Sequence, residues 1–456
     1  MAASETHKKI GVFSHGGTKN LGDEALLATV IQNARLRVPG AEVVGFTINP
    51  HDTRERHKIP CFPIRWSRQS DTPSSAHSSL SVPPSADSTA NAHVRAGASH
   101  QLKNAIKKIP GLPTLVLGLR RFLEGLAAVL AEPKFLLDSY LRLKDVDLLL
   151  IAGSQQLNDG YGGAWGFPFT LYKWTLLSKL TGTKVAILSV GAGPISSPLS
   201  KFFFKRVLNL VNYRSYRDAI SSRLMESLGI KGNHPVFPDL VYSFQLPAPK
   251  PASKDTERVV VGANPVPFFD GRYWPTSDPA RYVEYVQKFA IFADWLGKTG
   301  HAVLFFPTQV RADTLTIHDI RQTMNGTAHS PNVLAGQQIQ TIEDLVSEIF
   351  RADFVVANRY HGILISLMMN KPVLGVAYHE KSRALLAQAG QGDYVLNIAD
   401  FKPEELIERF SAMEANGPAI KKQIAERMAP LRQALDRQYD AVFRLIGIEP
   451  ASSKAS

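Results

Sequence analysis

The chain has one cysteine among its 456 residues, Cys61. A disulfide framework and any metal site made of cysteine alone are therefore excluded, which suits a reducing compartment without demanding one. Carboxylates are also in short supply: 40 Asp and Glu face 52 Lys and Arg, for a net charge of +12 and an isoelectric point near 9.6. A surface of that sign favours acidic partners such as nucleic acid, anionic lipid headgroups or phosphorylated substrates. The RNP pattern, zinc-finger spacing and basic stripes interleaved with aromatics are all missing, which argues against specific nucleic-acid binding. The opening residues MAASETHKKIGVF lack the apolar core of a secretory signal and lead straight into a strand-like run. The most leucine-rich stretch is broken by Arg120, Arg121 and Glu124, so it is not expected to span a membrane. The dinucleotide fingerprint GxGxxG and a Walker lysine are absent, and with them any specific ground for a nucleotide cofactor.

What is present is an ordinary globular balance, with 44% hydrophobic and 20% charged residues, and room for two or three domains. KKIGVFSH and AEVVGFTI have strand character, EALLATVIQNARLRV has helical spacing, and GGTKNLGD is loop chemistry. Such a βαβ unit implies a parallel sheet with right-handed crossovers. The rhythm breaks at about 68–99, where serine, alanine, proline and threonine leave almost nothing to bury, and a disordered insertion is expected. A leucine-rich helical segment follows over about 101–143. Two readings stay open for it: amphipathic helices packed on the domain, which is the plainer one, or a contact with an anionic membrane surface through Lys103, Lys107, Lys108, Arg120 and Arg121. Strands and helices alternate again from DVDLLLIAG to Asp239, QLPAPKPASKDTER reads as a linker, and RVVVGANP begins a second α/β set. The expected fold class is α/β, with two facing Rossmann-like domains over 1–245 and 256–445. A ligand should sit in the cleft between them, at the carboxyl ends of the strands.

Polar and glycine-rich segments recur at those strand ends. In ANRYHGILISLMMNKPVLGVAYHEK, Arg359 and His361 fall in the turn from a strand into a helix, where free N–H groups and the helix dipole favour an anion. His379 and Lys381 follow the next strand and should emerge on the same edge; capping of a surface turn is the plainer alternative for Arg359 and His361. In SHGGTKNLGDEA, Gly17 and Gly22 allow close backbone approach, Asn20 and Asp23 are polar candidates, and Glu24 is expected to do no more than stabilise the helix start. Ser154, Gln155 and Asp159 follow another strand, Gly191 and Gly193 end the next, and RSYRDAISSRL sets Arg217, Asp218 and Ser221 at a further turn into a helix, with Asp239 beyond in FPDL. Any one of these fragments is explicable as loop chemistry, but their recurrence at strand ends marks a site.

Taken in order, GGTKNLGDEA, AGSQQLND, GAGP, RSYRDAIS, RYHGILIS and AYHEK resemble the polysaccharide pyruvyltransferase family, over nearly the whole chain outside the serine-rich insertion and the C-terminal tail. The most specific parts are the N-x-GDE loop, the RDxxS turn and the RxHG turn with its downstream lysine. Where that family often has three glycines in a row, this chain has Ala152-Gly153-Ser154. The resemblance implies a fold like the GT-B glycosyltransferases and phosphoenolpyruvate as donor substrate, with no cofactor and no metal. It implies a glycan or lipid-linked oligosaccharide as acceptor, a cyclic pyruvate ketal as product and, together with the missing signal peptide, a cytoplasmic location. Peripheral contact with the inner face of the membrane belongs to the open second reading of the 101–143 segment. Phosphoenolpyruvate carries a carboxylate and a phosphate and so needs several cations, for which Arg217, Arg359 and Lys381 are the expected donor-binding residues. Ketal formation needs proton transfer near neutral pH, and His361 is the expected catalytic group. Gly17, Asn20, Gly22, Asp23, Gln155, Asp159, Gly191, Gly193, Asp218 and Ser221 are expected to line the acceptor side and its loops. A nucleotide-sugar glycosyltransferase of the same shape and a non-catalytic scaffold of a polysaccharide assembly complex are the alternatives.

Overall fold

Runs of consecutive apolar residues such as LLLIA cannot alternate between core and solvent, so they become strands covered on both faces, as parallel sheets require. In the computed structural model the first six strands are β1 (Lys9–Phe13), β2 (Glu42–Thr47), β3 (Cys61–Pro63), β4 (Leu148–Ala152), β5 (Lys184–Val190) and β6 (Tyr213–Tyr216). They form a 6-stranded sheet in the order β3-β2-β1-β4-β5-β6, parallel throughout. A second, 5-stranded sheet in the order β11-β10-β9-β7-β8 contains β7 (Val260–Asn264), β8 (Ala302–Phe305), β9 (Phe354–Ala357), β10 (Val373–Ala377) and β11 (Val395–Asn397). It is parallel as well. The expected pair of Rossmann-like sheets is present. The direction of winding reverses between β1 and β4 in one sheet and between β7 and β9 in the other, and crevices outside the carboxyl ends at such points receive ligands.

The structure describes residues 8–17, 20–66, 131–247, 257–324, 332–334 and 336–449. Both sheets belong to one compact unit, Met1–Ile64 with Leu143–Ser456, while Arg65–Arg142 form another. The expected insertion at 68–99, the expected helical segment as far as 130, and most of the expected linker lie outside the described residues; a helix, α3, runs over 131–143. Among the described residues no helix is long and apolar enough to cross a membrane.

Helices α1 (Leu21–Arg37), α2 (Pro50–His57), α4 (Phe167–Thr181), α5 (Pro198–Leu210) and α6 (Ala219–Ser227) accompany the first sheet. The second is accompanied by α7 (Pro279–Lys298), α8 (Val310–Thr323), α9 (Ile342–Arg351), α10 (Tyr360–Met368), α11 (Glu380–Gln388), α12 (Pro403–Ala415) and α13 (Gly417–Phe443). Two features join the lobes. The N-terminus of α1 meets the loop after β8, where Leu21 N donates to Thr308 O at 3.2 Å. At the other end α13 crosses back to the first lobe: buried Gln438 Oε1 accepts from Ser215 Oγ at 2.9 Å, and Arg37 pairs with Asp436 and Asp440 at 2.9 and 3.2 Å. The last helix thus packs on both lobes.

Candidate active site

Arg217 is the first residue after β6. Asp218 caps α6 by accepting from Ser221 N at 2.7 Å, and Ser221 Oγ accepts from Ala192 N at 2.9 Å, so one turn of sequence RDxxS also fixes the loop after β5. Gly191 lets the guanidinium come close there: a Cβ would fall 2.8 Å from Arg217 Nη2, so the arginine would have to shift. Arg217 Nη1 lies 3.3 Å from Asp239 Oδ2 and Nε 3.9 Å from Asp218 Oδ2, with the guanidinium 5.3 Å from the centre of the Tyr360 ring. Asp239 also accepts from Val241 N at 3.1 Å and from the Tyr360 hydroxyl. Residues of both lobes therefore share one charge network.

Lys381, in the first turn of α11, reaches across the cleft: its Nζ donates to Gln155 Oε1 at 2.5 Å, while Gln155 Nε2 donates to Gly193 O at 2.5 Å. Burial, and after it the Arg217 charge, lowers the Lys381 ammonium to a pKa of about 8. The His361 ring is packed against the first turn of α1, where a Cβ on Gly22 would fall 2.0 Å from its Nδ1. Its Nε2 is buried with no hydrogen-bond partner. Burial pulls the His361 pKa down to about 4; Asp239 opposes this, and Arg217 and Lys381 add to it. Next to Gly22, Asp23 accepts from Ser154 Oγ at 3.2 Å. Burial and the neighbouring Glu24 raise its carboxyl to about 6 against the pull of Ser154 and Arg217.

A cavity of about 420 Å³ opens beside these groups. Its polar lining includes Gln155, Arg217, Asp218, Ser221, Asp239, Tyr242, Tyr360, His379, Glu380, Lys381 and Gln388, and its apolar lining Ile220, Val236, Pro238, Ala384 and Leu385. The Tyr242 hydroxyl is buried and has no partner.

A family model described as polysaccharide pyruvyl transferase matches residues 20–380, from the Asn20 cap to the residue before Lys381. The chain belongs to that family. A search of curated proteins finds no match. Among solved structures, Staphylococcus aureus MnaA in complex with UDP is 10% identical with a TM-score of 0.53, over 97% of this chain and 99% of that one. A UDP-N-acetylglucosamine 2-epimerase is 11% identical with a TM-score of 0.54, over 97% and 98%. A glycosyltransferase from Rickettsia africae is 9% identical with a TM-score of 0.50, over 96% and 99%. Identities this low speak for fold alone, and the fold is the GT-B arrangement of two Rossmann-like domains.

Within this pyruvyl transferase, the structure brings Gln155, Gly191, Arg217, Asp218, Ser221 and Lys381 into the lining of one cavity. His361 and Asp23 do not line it but lie within electrostatic reach of Arg217, and Gly22 packs against His361. Others named from sequence are occupied elsewhere. Arg359 Nε and Nη2 donate to Asp313 Oδ1 at 3.1 and 2.6 Å, and the fully buried Asp313 also accepts from Thr308 N and Gln309 N. That pairing ties the second lobe together, and Arg359 is not in the cavity wall. Asp159 accepts from Ser196 N and Ser197 N, each at 2.8 Å, and so fastens the loop before α5. Asn20 caps α1 through Gly22 N. Gly17, at φ +88°, fits against Asn49 and donates to Glu24 Oε1 at 2.9 Å. Glu24 does more than complement a dipole, since Oε2 also lies 2.8 Å from His57 Nε2. Tyr242 and Tyr360 escaped the sequence reading. Tyr360 sits inside RYHG and Tyr242 three residues past Asp239, but nothing in either pattern shows which way a tyrosine points.

Proposed function

We propose that this protein transfers the pyruvyl group of phosphoenolpyruvate to two hydroxyls of a glycan sugar, forming a cyclic ketal and releasing phosphate. The observation that carries the reading is the meeting of Arg217 and Lys381, one from each lobe, at one cavity. Both are close enough to the buried His361 imidazole, whose Nε2 has no partner, for their charges to act on it. A small molecule with a carboxylate and a phosphate suits two such cations, and the cavity leaves room beyond it for a sugar.

The chemistry asks for a proton on the methylene carbon, addition of one hydroxyl to the neighbouring carbon, and displacement of phosphate by the second hydroxyl. The two hydroxyl protons balance the one donated and the one that leaves with phosphate. Asp23, with its carboxyl raised to about 6, keeps its proton to a higher pH than an ordinary aspartate does and is half protonated near pH 6. His361, lowered to about 4, is a neutral imidazole in the free protein. Arg217 and Lys381 help to hold it so; an anionic donor neutralising them would raise its proton affinity, making His361 a better base once the donor is bound.

Calorimetry with phosphoenolpyruvate and with a nucleoside diphosphate, followed by phosphate release with a glycan acceptor, tests the reading. We expect phosphoenolpyruvate to bind and phosphate release to depend on acceptor. Binding of the nucleotide alone would make this a glycosyltransferase in function as well as in shape.

A further inference from the structure

A second surface stands apart from the cavity. Helices α4 and α5 pack side by side, and right-handed crossovers from β4 to β5 to β6 put them on the same face of the first sheet. They are 15 and 13 residues long and contain no carboxylate, but carry Lys173, Lys179, Lys201, Lys205 and Arg206. Their outer side exposes large apolar groups: Trp165 is 67% exposed, Leu180 65% and Phe202 46%. The rings run on from one helix to the other, Trp165 to Phe169 at 5.1 Å, Phe169 to Phe203 at 5.3 Å and Phe203 to Phe202 at 5.7 Å. Arg206 lies over Phe202, 5.3 Å from the ring centre.

Clustered exposed apolar groups mark interaction surfaces. Aromatic rings ringed by cations, with no carboxylate on either helix, match one surface chemistry in particular. Tryptophan and phenylalanine settle at the boundary between headgroups and acyl chains, while lysine and arginine meet anionic headgroups. We propose that the outer face of α4 and α5 docks this protein on an anionic lipid bilayer. The placement suits a membrane-held substrate. Trp165 leads into α4, and Asp159 ties the loop before α4 to the loop before α5. The aromatic end of the patch therefore lies at the carboxyl edge of β4 and β5, the edge that also gives Gln155 and Gly191 to the cavity.

The test uses the full chain and no substrate, so it stands whatever the catalytic reading. Flotation is compared on phosphatidylcholine vesicles and on vesicles with a third phosphatidylglycerol, with and without 0.5 M salt. We expect binding to the anionic vesicles only, weakened by salt. It should fall by about tenfold or more in Lys201→Glu/Lys205→Glu, and similarly in Trp165→Ser/Phe202→Ser. These positions are exposed, so melting curves should stay unchanged. In wild type, vesicles should blue-shift part of the tryptophan emission, and Trp165→Phe should remove that shift. The proposal is overturned if the wild type ignores anionic vesicles or the patch variants bind undiminished. It is equally overturned if binding is lost only with Lys107→Glu/Lys108→Glu, or if the patch instead holds a second copy and Trp165→Ser dissolves a dimer.

Discussion

Two turns of the molecule look alike in sequence and do different work. Each follows a parallel strand and opens a helix, and each puts an arginine at the joint: Arg217 before α6 and Arg359 before α10. Arg217 has its nearest carboxylates at 3.3 and 3.9 Å, and its guanidinium forms part of a cavity wall. Arg359 spends two N–H groups on one oxygen of a carboxylate with no exposed surface. Both arginines meet a buried acid, Asp239 or Asp313, and what separates them is how many donors the acid takes up: one N–H at 3.3 Å for Arg217, two at 3.1 and 2.6 Å for Arg359. The first lobe leaves its arginine loosely held, whereas the second lobe uses its arginine to close the loop after β8.

The largest effect should come from breaking the tighter pair. Arg359→Met leaves Asp313 buried without its cation, and loss of one partner of such a pair costs roughly 3–5 kcal/mol. Denaturant unfolding should show a loss near the lower figure, since Thr308 N and Gln309 N still donate to Asp313, and Asp313→Asn added to the variant should recover part of it. A variant as stable as wild type but unable to bind phosphoenolpyruvate would erase the distinction between the turns. Arg217→Met should do the opposite, lowering phosphoenolpyruvate affinity by about tenfold or more, roughly 1.5–3 kcal/mol for a charge-assisted contact, with a smaller loss of stability. Donor titration and melting on the same two variants sort them. Unchanged donor affinity in Arg217→Met would remove it from the site.

The contrast also shows where sequence reading stops. Strands β1, β4, β7 and β9 were legible because their apolar runs have no polar face, and the turns were legible because glycine and capping residues have local causes. RDxxS is such a case, a capping aspartate and the serine it meets three residues on. Arg359 and Asp313 are 46 residues apart, and no local pattern says that two helices will bring them together. The same holds for α13, whose spacing shows that a face is buried but not that Gln438 will bond Ser215 of the other lobe. Asp159 shows a related limit: a polar residue after a strand looks the same in sequence whether it faces a ligand or ties a neighbouring loop.

The smallest effect concerns the two acids. Asp313 is matched by Arg359, but Asp23 has a hydroxyl, Ser154, as its close partner, and burial lifts its carboxyl from 3.8 to about 6. Below about pH 4 both folded and unfolded chains hold this proton. As pH rises from 4 to 6 the unfolded chain ionises first, so stability falls, and above 6 the whole cost of a charged Asp23 is present. Asp23→Asn keeps an oxygen that can accept from Ser154 and has nothing to ionise. It should match wild type near pH 4 and be more stable by roughly 1–3 kcal/mol at pH 8. If Asp23 also supplies the proton in pyruvyl transfer, the same variant should be slower while binding phosphoenolpyruvate as well as wild type does. The fall of wild-type kcat/KM above pH 6 should also be missing from its profile. Equal stability of the two proteins at pH 8 would show that Asp23 ionises freely, and the first lobe would then hold no strained acid to set against the satisfied one in the second.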